Sequence, residues 1–255
     1  MKKFILITSL LAAGTMLANA ETTLVDSFSF DTTTTSEEKK SFSFQQASSS
    51  FVDEGEDGRK YLNLNLIHNS VSGMHLNDSN AYSLTDNWAI QFDVNYTNSS
   101  NNAQVLFNAS NSDNIYIAAT NSTDGATYAL AQGSAFANWS SKVCSATLGG
   151  QGSWQTLSLI NLGGDVSFYI GTTKVGTLEN VNAPLTKMMF GFGTGGTNGC
   201  SSGSLKLDNL GIYTISSGDS LVSVERALSI PEPSAFGMLA GLGALALVAS
   251  RRRRR

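Results

Sequence analysis

The chain has 255 residues, with 16 Lys or Arg against 20 Asp or Glu, a net charge of −4 and two cysteines. Seven of the cations sit at the two ends: Lys2 and Lys3 at one, Arg251, Arg252, Arg253, Arg254 and Arg255 at the other. Without them 9 basic residues face 20 acidic ones, a net charge of −11. That balance argues against nucleic acid as a partner, because its phosphates are bound by Lys and Arg. The roughly 210 residues between the ends suffice for one domain with a sizeable core.

Residues 1–20 read MKKFILITSLLAAGTMLANA. A basic start, an apolar run and the small residues Ala18 and Ala20 make a secretory signal peptide, with cleavage expected before Glu21. The Sec export machinery is the implied partner, and the body of the chain is expected outside the inner membrane.

From residue 21 to 214 the sequence alternates apolar and polar residues with period two, separated by Gly, Ser, Thr and Asn, and lacks long helical periodicity. This is the pattern of half-buried strands. The segments LVDSFSF and KYLNLNLI come first. WAIQFDVNY follows, placing Trp88, Ile90, Phe92, Val94 and Tyr96 on one face and Ala89, Gln91, Asp93 and Asn95 on the other. AQVLFNA, NIYIAAT and ATYALAQ continue the series. Around the end of that series Tyr128, Phe136 and Trp139 stand in a Ser/Asn/Gln-rich stretch, where aromatic rings beside amides and hydroxyls suit carbohydrate binding. Cys144 and Cys200 both lie in the exported part, so a disulfide between them is the expectation for an oxidising compartment.

Residues 153–179, SWQTLSLINLGGDVSFYIGTTKVGTLE, read as three strands in a meander, with turns at Gly163-Gly164 and Gly171-Thr172. After a further strand, KMMFGFG, the glycine-rich GFGTGGTNG leads into another strand and not a helix, so it lacks the helix N-terminus that a phosphate loop requires. The closing strand is GSLKLDNLGIYT, residues 203–214. In order, these segments resemble the laminin-G/concanavalin A-like jelly roll, from an opening strand at LVDSFSFD to the Trp-led meander and a last strand running through an acidic residue into Ile-Tyr. The resemblance implies an all-β, antiparallel jelly-roll sandwich over residues 21–214. One departure is Gly171-Thr172-Thr173 in place of the usual Asp/Asn-Gly, which predicts a different hairpin type there.

Residues 215–230 read as a spacer. Beyond them come Pro231-Glu232-Pro233, the apolar run Ala235–Ala249 and the five terminal arginines. As a helix that run would be about 22 Å long, short of the ~30 Å hydrocarbon core but extendable by snorkelling arginines. Arg251, Arg252, Arg253, Arg254 and Arg255 would act as the membrane stop, holding that end on the cytoplasmic side. Motif, apolar helix and basic end resemble the PEP-CTERM sorting signal of Gram-negative bacteria, covering residues 231–255. The resemblance implies an exosortase as partner, transient anchoring by a single transmembrane helix, cleavage near the motif and a final place in the envelope or extracellular matrix.

The residues that would carry catalysis are sparse. Glu179 is the one glutamate between Asp57 and Val224, and Asp93 has no acidic partner two or four residues away. The glucanases built on this fold need two carboxylates within about 5–10 Å. His68 and His75 stand in neither a triad order nor a zinc spacing. The resembled fold often holds Ca²⁺ on a rim. Asp78, Asp86, Asp113, Asp124 and Asp208 are candidates by loop position alone, and no contiguous calcium loop assigns a ligand. The expectation is a non-catalytic module binding glycan or exopolysaccharide, with a divergent glycan hydrolase and a protein-binding adhesin as alternatives.

Overall fold

A computed structural model describes residues 22–30, 42–45, 49–52, 59–67, 73–76, 84, 87–98, 104–110, 115–122, 125–132, 142–147, 149, 152–181, 184–185, 187–191 and 202–228. In chain order its strands are β1 (Thr23–Phe28), β2 (Phe42–Gln45), β3 (Ser49–Val52), β4 (Tyr61–Ile67), β5 (Gly73–Leu76), β6 (Asn87–Asn98), β7 (Gln104–Ser110) and β8 (Ile115–Ser122). They continue with β9 (Gly125–Gln132), β10 (Lys142–Thr147), β11 (Trp154–Leu162), β12 (Asp165–Ile170), β13 (Thr173–Leu178), β14 (Lys187–Phe190) and β15 (Ser202–Thr214). A helix, α1 (Leu221–Ala227), follows.

The strands form two antiparallel sheets. The first has the order β13-β12-β11-β6-β15-β4-β3, with β1 also paired to β15; the second has the order β10-β9-β8-β7-β14-β5-β2. The chain passes between sheets several times, and its first and last strands lie side by side with Thr23 opposite Thr214. This is the expected jelly-roll sandwich. The Gly163-Gly164 turn joins β11 to β12 with positive φ at both glycines (61° and 95°), the backbone a two-residue I′ hairpin needs. At Gly171-Thr172 positive φ is confined to Gly171 (55°), the II′ pattern, so the expected change of hairpin type is present.

Alternation sorts the residues as the sequence predicts. Trp88, Ile90, Phe92, Val94 and Tyr96 of β6 enter the core between the sheets, joined by Val166, Phe168 and Ile170 of β12. Across the gap Phe92 meets Phe107 and Phe190 with ring centroids 5.2–5.6 Å apart, so one aromatic cluster ties β6 to β7 and β14.

One expectation is left unshown here and a second is corrected. The Cys144–Cys200 bridge is not shown: Cys144 carries a free thiol, and Cys200 lies outside the described residues. Its side chain packs on β13, where a Cβ added at Gly176 would lie 2.6 Å from the Cys144 Cβ and 2.7 Å from Sγ. Gly176, Phe168, Leu159, Ile90 and Ile212 form one row across β13, β12, β11, β6 and β15. Four strand spacings of about 4.8 Å therefore separate Gly176 from Ile212, and Ser202 begins β15 a further ~30 Å along that strand. Ser202, the first described residue after Cys200, therefore lies far from Cys144 both across and along the sheet. Burial pushes the Cys144 thiol pKa up, opposed by a hydrogen bond with the Leu130 backbone. Unreduced mature protein is therefore expected to yield the Cys144 peptide alkylated in denaturant, and only slowly alkylated when native at pH 8. Recovery of that peptide only after reduction would show the bridge instead.

The corrected expectation concerns the spacer. Ser220 caps α1, its Oγ accepting from the Ser223 N–H at 3.3 Å. Ile215, Val224 and Leu228 are buried against Ala89, Ile160 and Tyr169 on the outer face of the first sheet. Residues 215–228 are part of the folded domain.

Candidate functional site

On the outer face of the first sheet, three central strands place polar side chains in register. Asn95, Asp93, Gln91 and Ala89 of β6 stand opposite Trp154, Thr156, Ser158 and Ile160 of β11. On the other side Asn95 stands opposite Lys206 and Asp93 opposite Asp208 of β15. Beyond β15, Lys206 is opposite Asn63 of β4. The apolar end of this face, at Ala89 and Ile160, is covered by α1. The polar remainder is the candidate site.

Its centre is built by a β-bulge. The pairing of β15 with β6 slips between Asp208 and Gly211, and Asn209 there has φ 49°. Asn tolerates this left-handed conformation better than most residues. The extra residue turns Asn209 toward β6, so that its Nδ2 donates to Asp93 Oδ2 at 3.0 Å while its N–H donates to Asp208 Oδ1 at 2.8 Å. Bulges re-aim side chains in this way next to functional sites.

Between the facing aspartates lies Arg59, one residue ahead of Lys60 and β4. Its Nη2 donates to Asp93 Oδ2 and its Nε to Asp208 Oδ2. Thr156 Oγ1 donates to Asp93 Oδ1 at 2.5 Å. Side-chain exposure is 29% for Arg59, 15% for Asp93 and 5% for Asp208, so the network is largely withdrawn from water. Burial raises the Asp208 pKa, the Arg59 guanidinium opposes that rise, and the carboxylates hold the guanidinium pKa up.

An aromatic pair flanks this network. The Arg59 guanidinium lies 4.3 Å from the centroid of the Trp154 ring, and Lys206 Nζ lies 4.9 Å from that of Tyr61. The Tyr61 and Trp154 rings meet edge to face at 5.6 Å. Beneath them Asn95 is 5% exposed; its Nδ2 donates to the Gly152 carbonyl at 2.5 Å while its Oδ1 has no partner. Asn63 Oδ1 is likewise buried without a partner. The site thus combines two cations, two paired carboxylates, amides and two rings: a surface suited to hydrogen-bonding and stacking on a polyhydroxylated ligand.

Several expected site residues lie elsewhere. Tyr128, expected to contact glycan, points into the core beside Ala126 and Leu130 and is 1% exposed, so it cannot touch a ligand. Burial alone pushes its phenol pKa far up. The other two aromatics of that expectation, Phe136 and Trp139, lie outside the described residues, as do Cys200, His68, Asp78, Asp86, Asp113 and Asp124. So do the processing residues at both ends: Ala18, Ala20 and Glu21 at the signal cleavage site, and Pro231, Glu232 and Pro233 of the sorting motif. The membrane stop, Arg251, Arg252, Arg253, Arg254 and Arg255, is outside them as well. Asp208 is in β15 and not on a rim loop. Among the described residues no group of three or more His, Cys, Asp or Glu is placed to hold a metal, and no helix is long and apolar enough to cross a membrane.

The fold is similar at low identity to several solved structures. Domain 4 of AbnA, an extracellular arabinanase from Geobacillus stearothermophilus solved with arabinotriose, shares 15% identity over 76% of this chain and 93% of its own (TM-score 0.49). The binding domain of botulinum neurotoxin serotype D/C shares 11% over 68% of this chain (TM-score 0.46), and that of Paraclostridial Mosquitocidal Protein 1 shares 15% over 68% (TM-score 0.44). The chain spans 43% and 44% of those two toxin chains. Comparison with curated protein sequences finds no match. Residues 229–254 match the family model of the PEP-CTERM protein-sorting motif, which implies export and membrane anchoring ahead of exosortase processing in Gram-negative bacteria.

Proposed function

We propose that this chain is an exported envelope or matrix protein whose tail is removed by an exosortase. Its sandwich then serves as a non-catalytic module that holds an extracellular polysaccharide. The observation that carries the sorting half is the motif match at residues 229–254. Mass spectrometry of the mature protein tests it: residues 1–20 and the arginine end are expected to be missing. An extracellular species still ending in Arg255 would overturn it.

The binding half is supported by the face around Trp154. A sugar ring would lie against the part-exposed indole, with Lys206 and Asn209 on the same face as the donors for a longer glycan. In a precipitation or titration assay against a polysaccharide panel, including the producing cell's own matrix, Trp154→Ala is expected to weaken binding by about tenfold, a loss of ~1.4 kcal/mol. Equal binding by wild type and variant would remove this face from the reading, and a panel without hits beside an adhesion defect would favour a protein-binding adhesin.

One observation favours a different class. Asp93 and Asp208 face each other across β6 and β15, as a glycosidase pair would. Arg59 engages both carboxylates and three donors converge on Asp93, which suits a structural ion pair better than an acid and a free nucleophile. Turnover of any polysaccharide on the same panel, abolished by Asp93→Asn, would replace binding by hydrolysis.

A further inference from the structure

Leu228, the last described residue of the domain, adjoins the sorting signal. Leu228 is buried on the outer face of the first sheet, and its carbonyl accepts from Gln91 Nε2 at 3.2 Å. The motif match starts at the next residue. Upstream, the Ile215 N–H donates to the Asn87 carbonyl at 3.1 Å, and Val224 is fully buried against the sheet. Glu225, 7% exposed, accepts from the Tyr169 hydroxyl. Residues 215–228 therefore form a strap fastened at both ends and in its middle.

The strap limits where a protease can act. Pro231 is three residues beyond Leu228, a reach of at most about 10 Å. A membrane enzyme would have to bring its active site that close to the face of a sandwich whose longest strands exceed ~30 Å. Releasing the strap adds fourteen residues, up to about 45 Å of extended chain. We propose that the docked Ile215–Leu228 strap withholds the sorting motif from the exosortase, so that strap release sets the rate of tail removal. This rests on the sorting reading given above.

The test is a pulse-chase of the full-length chain in an exosortase-containing bacterium, following loss of the tail. A ten-residue Gly/Ser insertion between Leu228 and Ser229, which adds roughly 17 Å of flexible reach, is expected to shorten the processing half-time at least about threefold. Val224→Asp, which undocks the strap, is expected to do the same, and to add nothing once the insertion is present. The insertion leaves the strap's contacts intact, so its melting temperature should match wild type even if Val224→Asp lowers stability. Unchanged half-times in the insertion variant overturn the strap, provided that replacing all five terminal arginines with serine still blocks processing. If the serine variant matures like wild type, the sorting reading falls and takes the strap with it.

Discussion

Replacing Arg59 with methionine is expected to destabilise the domain by about 2–3 kcal/mol near neutral pH. Removing one partner from a buried ion pair costs about 3–5 kcal/mol, because the charge left behind stays desolvated. Here the lower figure applies, since Arg59 is 29% exposed and water screens part of its interaction. For a domain of this size the melting temperature should fall by about 5–10 °C. The pH dependence identifies the cause. Without the guanidinium, Asp93 and Asp208 are facing carboxylates, and mutual repulsion adds to the burial that already raises the Asp208 pKa. A folded pKa above the unfolded one gives a penalty that is present at neutral pH and is relieved as pH falls through the carboxylate range. The gap between variant and wild type should therefore narrow as pH falls from 7 toward about 4. Adding Asp93→Asn and Asp208→Asn to the variant should recover much of the loss at pH 7. A gap that stays constant from pH 7 to pH 3 would mean that Arg59 acts through packing on Trp154 instead.

Phe92→Ala carries the larger expected cost, about 3–5 kcal/mol, the usual loss on emptying a buried phenylalanine site. Phe92 is 1% exposed and touches Phe107 and Phe190, both fully buried, from the opposite sheet. The cavity would open between two sheets, each held rigid by its own hydrogen bonds, so it can collapse little. Phe92→Leu should cost only about 1–1.5 kcal/mol because most of the volume returns. Urea unfolding measures both: the midpoints should separate while the slopes stay equal. A loss below about 1 kcal/mol for alanine would show that the sheets close over the gap.

The core was readable because each half-buried strand writes its orientation in alternating residues. Trp88 to Tyr96 gives the inner face of β6 directly, and the same rule places Tyr128 with Ala126 and Leu130 inside. The ligand-facing expectation for Tyr128 came from the polar composition around it, which says nothing about side-chain direction. The Asp93–Arg59–Asp208 network is hidden from any scan along one strand, because its members are 34 and 149 positions apart and meet only across strands. One local signal marks it. In β15 the buried residues run Leu205, Leu207, then Leu210, Ile212, and the slip from odd to even numbers locates the bulge at Asp208-Asn209. Likewise Leu221, Val224 and Leu228 behind a capping serine carry the spacing of a short helix, inside a stretch whose composition alone reads as a spacer. The disulfide expectation rested on compartment alone, which says nothing of where strands place the two thiols.

The pairing of β1 with β15 has a consequence for the order of events in the cell. Thr214 Oγ1 donates to the carbonyl of Thr23, 191 residues earlier, and β6 holds the other edge of the same closing strand. A chain delivered N-terminus first must leave β1 waiting until nearly the whole domain has followed it. Cooperative burial of the first sheet is then a late, long-range closure, the slow class of folding event. Until β15 emerges, β6 is paired with β11 on one edge only and its other edge lacks the strand it has in the finished order. For this molecule the interval between translocation and closure is when chaperone protection matters most.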